Sequence, residues 1–293
     1  MRKKCIMIIL TAVMAISLCA CGNPSSSSSS KEGDNSGDSA KSKTEVQVFI
    51  AASLNQVMNQ VAKEYQKTHP DVKIIFNADS SGTLLTQIEN GYSCDIFFSA
   101  AKKQMDQLEK DGLIEAGSRS DVVNNQLVVV TRKDSGTKVT GLHDLGEATS
   151  IAMADGSVPA GQYTRKALMN IGILPQSDHP DKVTTQEVSK ALGGVEISEQ
   201  SNVSKVLMAV QEGSSQVGTT YYSDTYGYQN DLKILEKVPY EETGDVIYPI
   251  AQVKNEEADT EEKNAANDFL TFVKSDSAKA IFSQYLFDTN VKR

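Results

Sequence analysis

Residues 46–65 read VQVFIAASLNQVMNQVAKEY, and the spacing of their apolar positions changes partway along. Val46 to Ile50 form a β-branched and aromatic run of strand character, whereas Leu54, Val57, Met58, Val61, Ala62 and Tyr65 recur on one helical face. Strand gives way to helix across Ala51-Ala52-Ser53, leaving a small polar residue at the junction. The alternation continues along the chain. Strand candidates follow at Lys73–Phe76, Asp95–Ser99, Leu127–Thr131, Ser150–Ala154, Val217–Tyr221 and Val246–Val253, and further helical faces at Leu84, Leu85, Ile88 and at Val203, Val206, Leu207, Val210. Strands alternating with helices predict an α/β protein with mostly parallel sheets flanked by helices.

The region from Glu45 to Arg293 is large for one sheet, and two lobes accommodate it better. Long apolar strands near Asn125–Val130 and Asp245–Ala251 suit two crossings between lobes. The expectation is a first lobe of residues 45–126 plus 247–293, closed by helices at Glu261–Val273 and Ser277–Tyr285, and a second lobe of 127–246. Two connecting strands make a hinge, and a ligand would lie between the lobes.

Ahead of this region, residues 1–20 carry Arg2, Lys3 and Lys4 followed by an apolar run from Ile6 to Leu18, the pattern of a secretory signal. The run is shorter than the ~20 residues that span a bilayer. It ends in Leu18-Cys19-Ala20-Cys21, which resembles the lipobox of bacterial lipoproteins, so Cys21 is the expected lipidation site after cleavage. Residues 21–44 are rich in Ser, Gly, Lys and Asp and cannot bury a core, so they read as a disordered tether, roughly 25 Å long by ~5–6 Å × √n. The predicted location is extracytoplasmic, with the chain held to the membrane by this lipid. Processing leaves Cys94 as the one remaining thiol beyond Cys21, and no disulfide framework within the folded region. The net charge of −9 argues against nucleic acid as a partner, and loss of the three signal-peptide cations takes it to −12.

Most enzyme signatures are missing, among them GxSxG, Walker A, GxGxxG, HExxH and CxxC. Ser99-Ala100-Ala101-Lys102 matches S-x-x-K, which keeps a surface serine hydrolase using Ser99 and Lys102 as a minor alternative. His69, His143 and His179 each adjoin a turn or helix-end signal and read as surface or capping residues. What recurs is a small polar or glycine-rich junction where a helix begins: Ser53, Ser81, Val158-Pro159-Ala160-Gly161 and Ser201-Asn202-Val203. Each leaves unpaired N–H groups at the positive end of a helix dipole, where anions bind. A lone serine at such a place is usually a helix cap. Several junctions along one sheet edge describe a binder of an anion or small polar ligand.

At these residues the sequence resembles the molybdate-binding proteins of bacterial ABC importers. VFIAASLNQVM at 48–58, SSGTLLTQIENG at 80–91, CDIFFSAAKKQMDQL at 94–108, NQLVVV at 125–130, VPAGQYTRKAL at 158–168 and TYYSD at 220–224 carry the resemblance. It implies a two-lobed periplasmic-binding-protein-like fold of type II and a non-enzymatic receptor that delivers molybdate or tungstate to a permease and its ATPase, most simply as a monomer without a cofactor. It also implies five ligand-binding residues: Ser53 and Ser81 through hydroxyl and backbone N–H, Ala160 and Val203 through backbone N–H, and Tyr221 through its hydroxyl. The metal would be held only through its oxygens. Gly82 stands where many relatives carry a third serine, Thr184–Gln200 is longer than its usual counterpart, and Tyr222 competes with Tyr221, since strand alternation lets only one face the cleft.

Physical chemistry agrees with that assignment. Molybdate and tungstate are tetrahedral dianions that at neutral pH accept hydrogen bonds and donate none, so a cleft of N–H and O–H donors suits them. Sulfate or phosphate is the alternative within the class, and the shorter bonds of sulfate would keep fixed donors from reaching it together.

Overall fold

The computed structural model describes residues 43–291. The expected signal segment, Cys21 and all but the last two tether residues lie outside the described residues. The first part of the fold runs β1 (Thr44–Ala51), a 3-10 turn (Ala52–Leu54), α1 (Asn55–Gln66), β2 (Val72–Asp79), α2 (Ser81–Glu89), β3 (Ile96–Phe98), α3 (Lys102–Lys110) and β4 (Ser120–Asn125). The middle part runs β5 (Leu127–Arg132), β6 (Ser150–Ala154), α4 (Pro159–Asn170), α5 (Thr185–Ala191), β7 (Glu196–Gln200), α6 (Val203–Gln211), β8 (Val217–Tyr221), β9 (Leu232–Lys237) and α7 (Tyr240–Thr243). The chain then returns through β10 (Val246–Gln252), α8 (Thr260–Val273) and α9 (Asp276–Gln284).

These strands make two five-stranded sheets, in the orders β2-β1-β3-β10-β4 and β7-β6-β8-β5-β9. Both are mixed, and the mixture has one source. In the first sheet β1, β2 and β3 pair in parallel while β10 pairs antiparallel with β3 and β4. In the second, β6 pairs in parallel with β7 and β8 while β5 pairs antiparallel with β8 and β9. Four strands of each sheet therefore run in one sense, and the fifth is the strand by which the chain enters from the other lobe. A direct crossing reverses chain direction, whereas the βαβ units elsewhere preserve it.

The lobes change hands at Gln126, between β4 and β5, and again between α7 and β10. Gln126 is held from the second lobe on both sides: its carbonyl accepts from Tyr222 N at 2.8 Å and its side-chain amide donates to Val238 O at 3.0 Å. The valines of β5, Val128 to Val130, are fully buried, as are Val246, Tyr248 and Ile250 of β10. Both crossings are thus core strands rather than exposed linkers.

A run of edge-to-face aromatic rings passes beneath the junction of the lobes. Phe98 packs on Phe282 at 6.1 Å between centroids, Phe282 on Phe287 at 5.8 Å, Phe287 on Tyr248 at 5.6 Å, Tyr248 on Tyr221 at 5.8 Å and Tyr221 on Tyr163 at 6.5 Å. Such pairs add about 0.5–1.5 kcal/mol each beyond burial. The chain of rings fixes the two tyrosine hydroxyls at its centre against both sheets. Phe282 is fully buried and touches two other rings. Phe282→Ala should therefore cost about 3–5 kcal/mol, read as a lowered urea midpoint; a loss under ~1 kcal/mol would mean that α9 does not depend on this cluster.

Candidate functional site

Helix starts are where the sequence places its candidate residues, and the structure separates the capping residues from the free ones. Ser80, not Ser81, caps α2, its hydroxyl accepting from Thr83 N at 3.1 Å. Asn202 caps α6, accepting from Lys205 N at 3.1 Å. Ser53 lies inside the 3-10 turn ahead of α1, where no side chain caps. Ser80 caps in place of Ser81 and Ser53 caps nothing, which leaves the hydroxyls of Ser53 and Ser81 for other work. Pro159 opens α4 with no N–H to satisfy, so Ala160 presents the first amide of that helix.

All five predicted residues, Ser53, Ser81, Ala160, Val203 and Tyr221, line one small cavity of about 10 Å³ between the lobes. Ser53 and Ser81 come from the first lobe, and Ala160, Val203 and Tyr221 from the second. The remaining walls are Ala51, Ala52, Ser80, Ala100, Val158, Pro159 and Asn202, so no charged side chain lines it. Amides in the first turn of a helix have no intrahelical acceptor, and the amides of Ser53, Ser81, Ala160 and Val203 all fall in first turns. With three hydroxyls added, seven neutral donors are available to an occupant. A larger groove of about 600 Å³ in the second lobe, running from Leu174 to Ala191, shares no residue with this cavity. Among the described residues no cluster of His, Cys, Asp and Glu could hold a bare metal ion.

Each hydroxyl has a distinct setting. Ser81 Oγ accepts from Ala100 N at 2.9 Å. Ser53 Oγ lies 2.8 Å from the Tyr248 hydroxyl, which also takes a hydrogen bond from Asn125 Nδ2 at 3.1 Å. The Tyr221 hydroxyl is buried without a partner. Burial pushes the Tyr221 phenol well above its ordinary pKa, so it keeps its proton and can donate. An orphaned donor of this kind is costly unless something fills the cavity. Of the two adjacent tyrosines, Tyr221 lines the cavity and Tyr222 does not, its ring lying 3.4 Å beneath Lys237 Nζ. Behind Tyr221, Asp224 accepts from Tyr221 N at 3.0 Å and from the Thr220 hydroxyl at 2.6 Å. Burial pushes Asp224 up to about 6, against the pull of those two donors.

The S-x-x-K pair makes no catalytic contact. Ser99 is fully buried and donates to Ala101 O at 2.8 Å, while Lys102 pairs with Asp121 at 2.7 Å. Sequence reasoning missed Tyr248 and Asn125, which stand directly behind Ser53. The one available signal was the tyrosine in the return strand VIYPIAQ, and nothing local ties it to a residue so far away in the chain.

Contacts that bring the lobes together at the cavity include three at its rim. Asn202 Nδ2 donates to Asp79 Oδ1 at 3.0 Å, and Lys103 pairs with Asp181 at 2.9 Å. The third explains the departure at Gly82, where an added Cβ would lie 2.6 Å from the backbone oxygen of Ser157 on the opposite lobe. The missing side chain is what lets α2 and the β6–α4 loop approach.

The profile of the bacterial extracellular solute-binding proteins matches residues 46–288. A Bacillus subtilis chain named as an ABC transporter substrate-binding lipoprotein, YvgL, is 29% identical over 279 residues, covering 95% of each chain. The molybdate-binding protein ModA of Escherichia coli is 30% identical over 253 residues, 83% of this chain and 88% of its own. Among solved structures, the periplasmic molybdate-binding protein of Azotobacter vinelandii shares the fold, with a TM-score of 0.68 over 85% of this chain and 100% of its own at 23% identity.

Gly82→Ala should prop the cleft open. Small-angle scattering is expected to show a larger radius of gyration for the variant than for the parent in the presence of a bound anion; equal radii would show that the Ser157 loop yields instead.

Proposed function

The chain belongs to the bacterial extracellular solute-binding protein family, and from that premise we propose that it captures molybdate or tungstate between its lobes and delivers it to an ABC importer. Members of this family bind solutes and work outside the cytoplasmic membrane, and the chain is not an enzyme. The observation that carries the ligand assignment is the convergence of seven neutral donors on a cavity too small for an organic molecule and lined by no charge. A dianion that only accepts hydrogen bonds matches such a donor set, and helix dipoles supply the positive potential that lysine or arginine would supply elsewhere. Hydrogen bonds to a charged group contribute roughly 1.5–3 kcal/mol each. Seven of them leave room for the ~8 kcal/mol of a micromolar site after dehydration and closure are offset.

The proposal extends to the setting. A lipid on Cys21 would hold the receptor at the membrane, the Ser-rich tether would let it reach the permease and its ATPase, and the chain would work as a monomer with no cofactor. Its relative YvgL carries the word lipoprotein in its name, which supports the anchor. Among the described residues no helix is long and apolar enough to cross a membrane. Closure around the anion would join surfaces of both lobes into one face for the permease to read.

Titration calorimetry with molybdate, tungstate, sulfate and phosphate tests the ligand directly. Molybdate and tungstate should bind at micromolar affinity or tighter; sulfate binding equally well would move the assignment to another oxyanion. Ser53→Ala and Ser81→Ala should each weaken molybdate at least tenfold while leaving the melting temperature of the empty protein within a few degrees. Unchanged affinity in both would place the site elsewhere. A pH effect follows from Asp224, whose carboxylate accepts from the backbone N–H of the cavity residue Tyr221 at 3.0 Å. An incoming dianion raises the pKa of a nearby carboxyl further above about 6, so binding takes up a proton and strengthens as pH falls from 8 towards 6. Calorimetry at pH 6.5 in two buffers of different ionisation enthalpy should reveal that uptake, and Asp224→Asn should abolish it.

A further inference from the structure

The hydrogen bonds behind Ser53 have a direction, and the direction bears on which anions fit. Asn125 Oδ1 accepts from Gln126 N at 2.9 Å and from Ser223 N at 3.4 Å, which turns the amide so that its NH₂ faces Ser223 Oγ at 2.8 Å and Tyr248 Oη at 3.1 Å. An amide NH₂ can only donate, so Tyr248 accepts from it. The Tyr248 hydroxyl also meets Ser53 Oγ at 2.8 Å and lies near the Tyr221 hydroxyl, a buried phenol that holds its own proton, so Ser53 is the acceptor left for the Tyr248 proton. Ser53 then has one of its two lone pairs engaged from behind and its own proton free on the cavity side.

We propose that Tyr248, oriented by Asn125, is a positioning residue that aims the Ser53 proton into the cavity and so selects anions that carry no proton of their own. The inference rests on the oxyanion reading above and deepens it. Hydrogenphosphate, the protonated tetrahedral anion abundant at neutral pH, must place its O–H against some acceptor. A Ser53 released from Tyr248 would offer both lone pairs to that proton, whereas a Ser53 already accepting from Tyr248 keeps one and turns its own proton toward the cavity, so it meets the anion first as a donor. Ser81 is arranged the same way by a backbone amide, its oxygen accepting from Ala100 N, which no side-chain replacement can undo. Discrimination through Ser53 is open to mutation because its partner is a side chain. The relay also lies on the hinge: Asn125 ends β4 at the first crossing and Tyr248 lies in β10 at the second, while Ser223 follows β8 in the second lobe. Both connecting strands thus meet behind one ligand donor.

The test is Tyr248→Phe, which keeps the ring and removes the hydroxyl, with affinities for molybdate and for inorganic phosphate measured at pH 7 in the full folded chain. The variant should bind molybdate several-fold more weakly and phosphate no more weakly, or better, so that the molybdate-to-phosphate ratio falls at least tenfold. In a Ser53→Ala background the same replacement should leave the ratio unmoved. Equal weakening of both anions, as a purely structural role would give, or an unchanged ratio in the Ser53-containing protein, overturns the proposal. If Tyr248→Phe fails to fold, Asn125→Asp serves instead: the carboxylate accepts the Tyr248 proton, reverses the relay and should lower the ratio in the same way, and an unchanged ratio there overturns the proposal too. A parent protein that binds neither molybdate nor phosphate would instead remove the oxyanion reading on which the inference rests.

Discussion

A hydroxyl donates one hydrogen bond, and what already occupies its oxygen decides where that bond can point. The site depends on this constraint more than on charge. Ser81 accepts from a backbone amide, Ser53 lies against a tyrosine that itself accepts from an amide, and Tyr221 keeps a buried proton with no partner. Each protein donor behind the site pushes a proton forward into the cavity. The scaffold is arranged to hold these few groups steady: rings pack in series from Phe98 to Tyr163, and the two crossing strands are buried in the cores they join.

Net charge runs the other way. The chain carries −9 overall, so long-range attraction does not bring an anion in. Screening confines such fields to about 8 Å at physiological salt, and within that distance the first turns of the helices supply the positive potential. Capture by neutral donors has a consequence for specificity. A lysine would attract any anion, whereas fixed N–H and O–H groups respond to the size of the guest and to whether it carries a proton.

Much of this was legible in the sequence because the strands at the centres of both sheets are apolar runs bounded by turn residues. The three strands that the pattern does not announce, β4, β7 and β9, are all sheet edges, where one side lacks a partner and polar residues such as those of SDVVNN and EISEQ are tolerated. The mixed character of the sheets came from the crossing strands, whose direction is set by topology and not by composition. Site residues at helix starts were legible as junctions, yet which serine caps and which one is free depends on a one-residue difference between Ser80 and Ser81 that only backbone geometry decides. Tyr248 was illegible for a stronger reason. It meets Ser53 across 195 residues of chain, and its role follows from the orientation of an amide that belongs to the hinge.

The central claim is that an oxyanion sits among donors contributed by both lobes. A crystal structure of the protein with molybdate, with an anomalous map collected at the molybdenum edge, tests it most directly. The account predicts a single strong peak in the cavity, its oxygens within hydrogen-bond distance of Ser53, Ser81, Ala160, Val203 and Tyr221. A peak elsewhere, or an anion contacted mainly by lysine or arginine side chains, would contradict it.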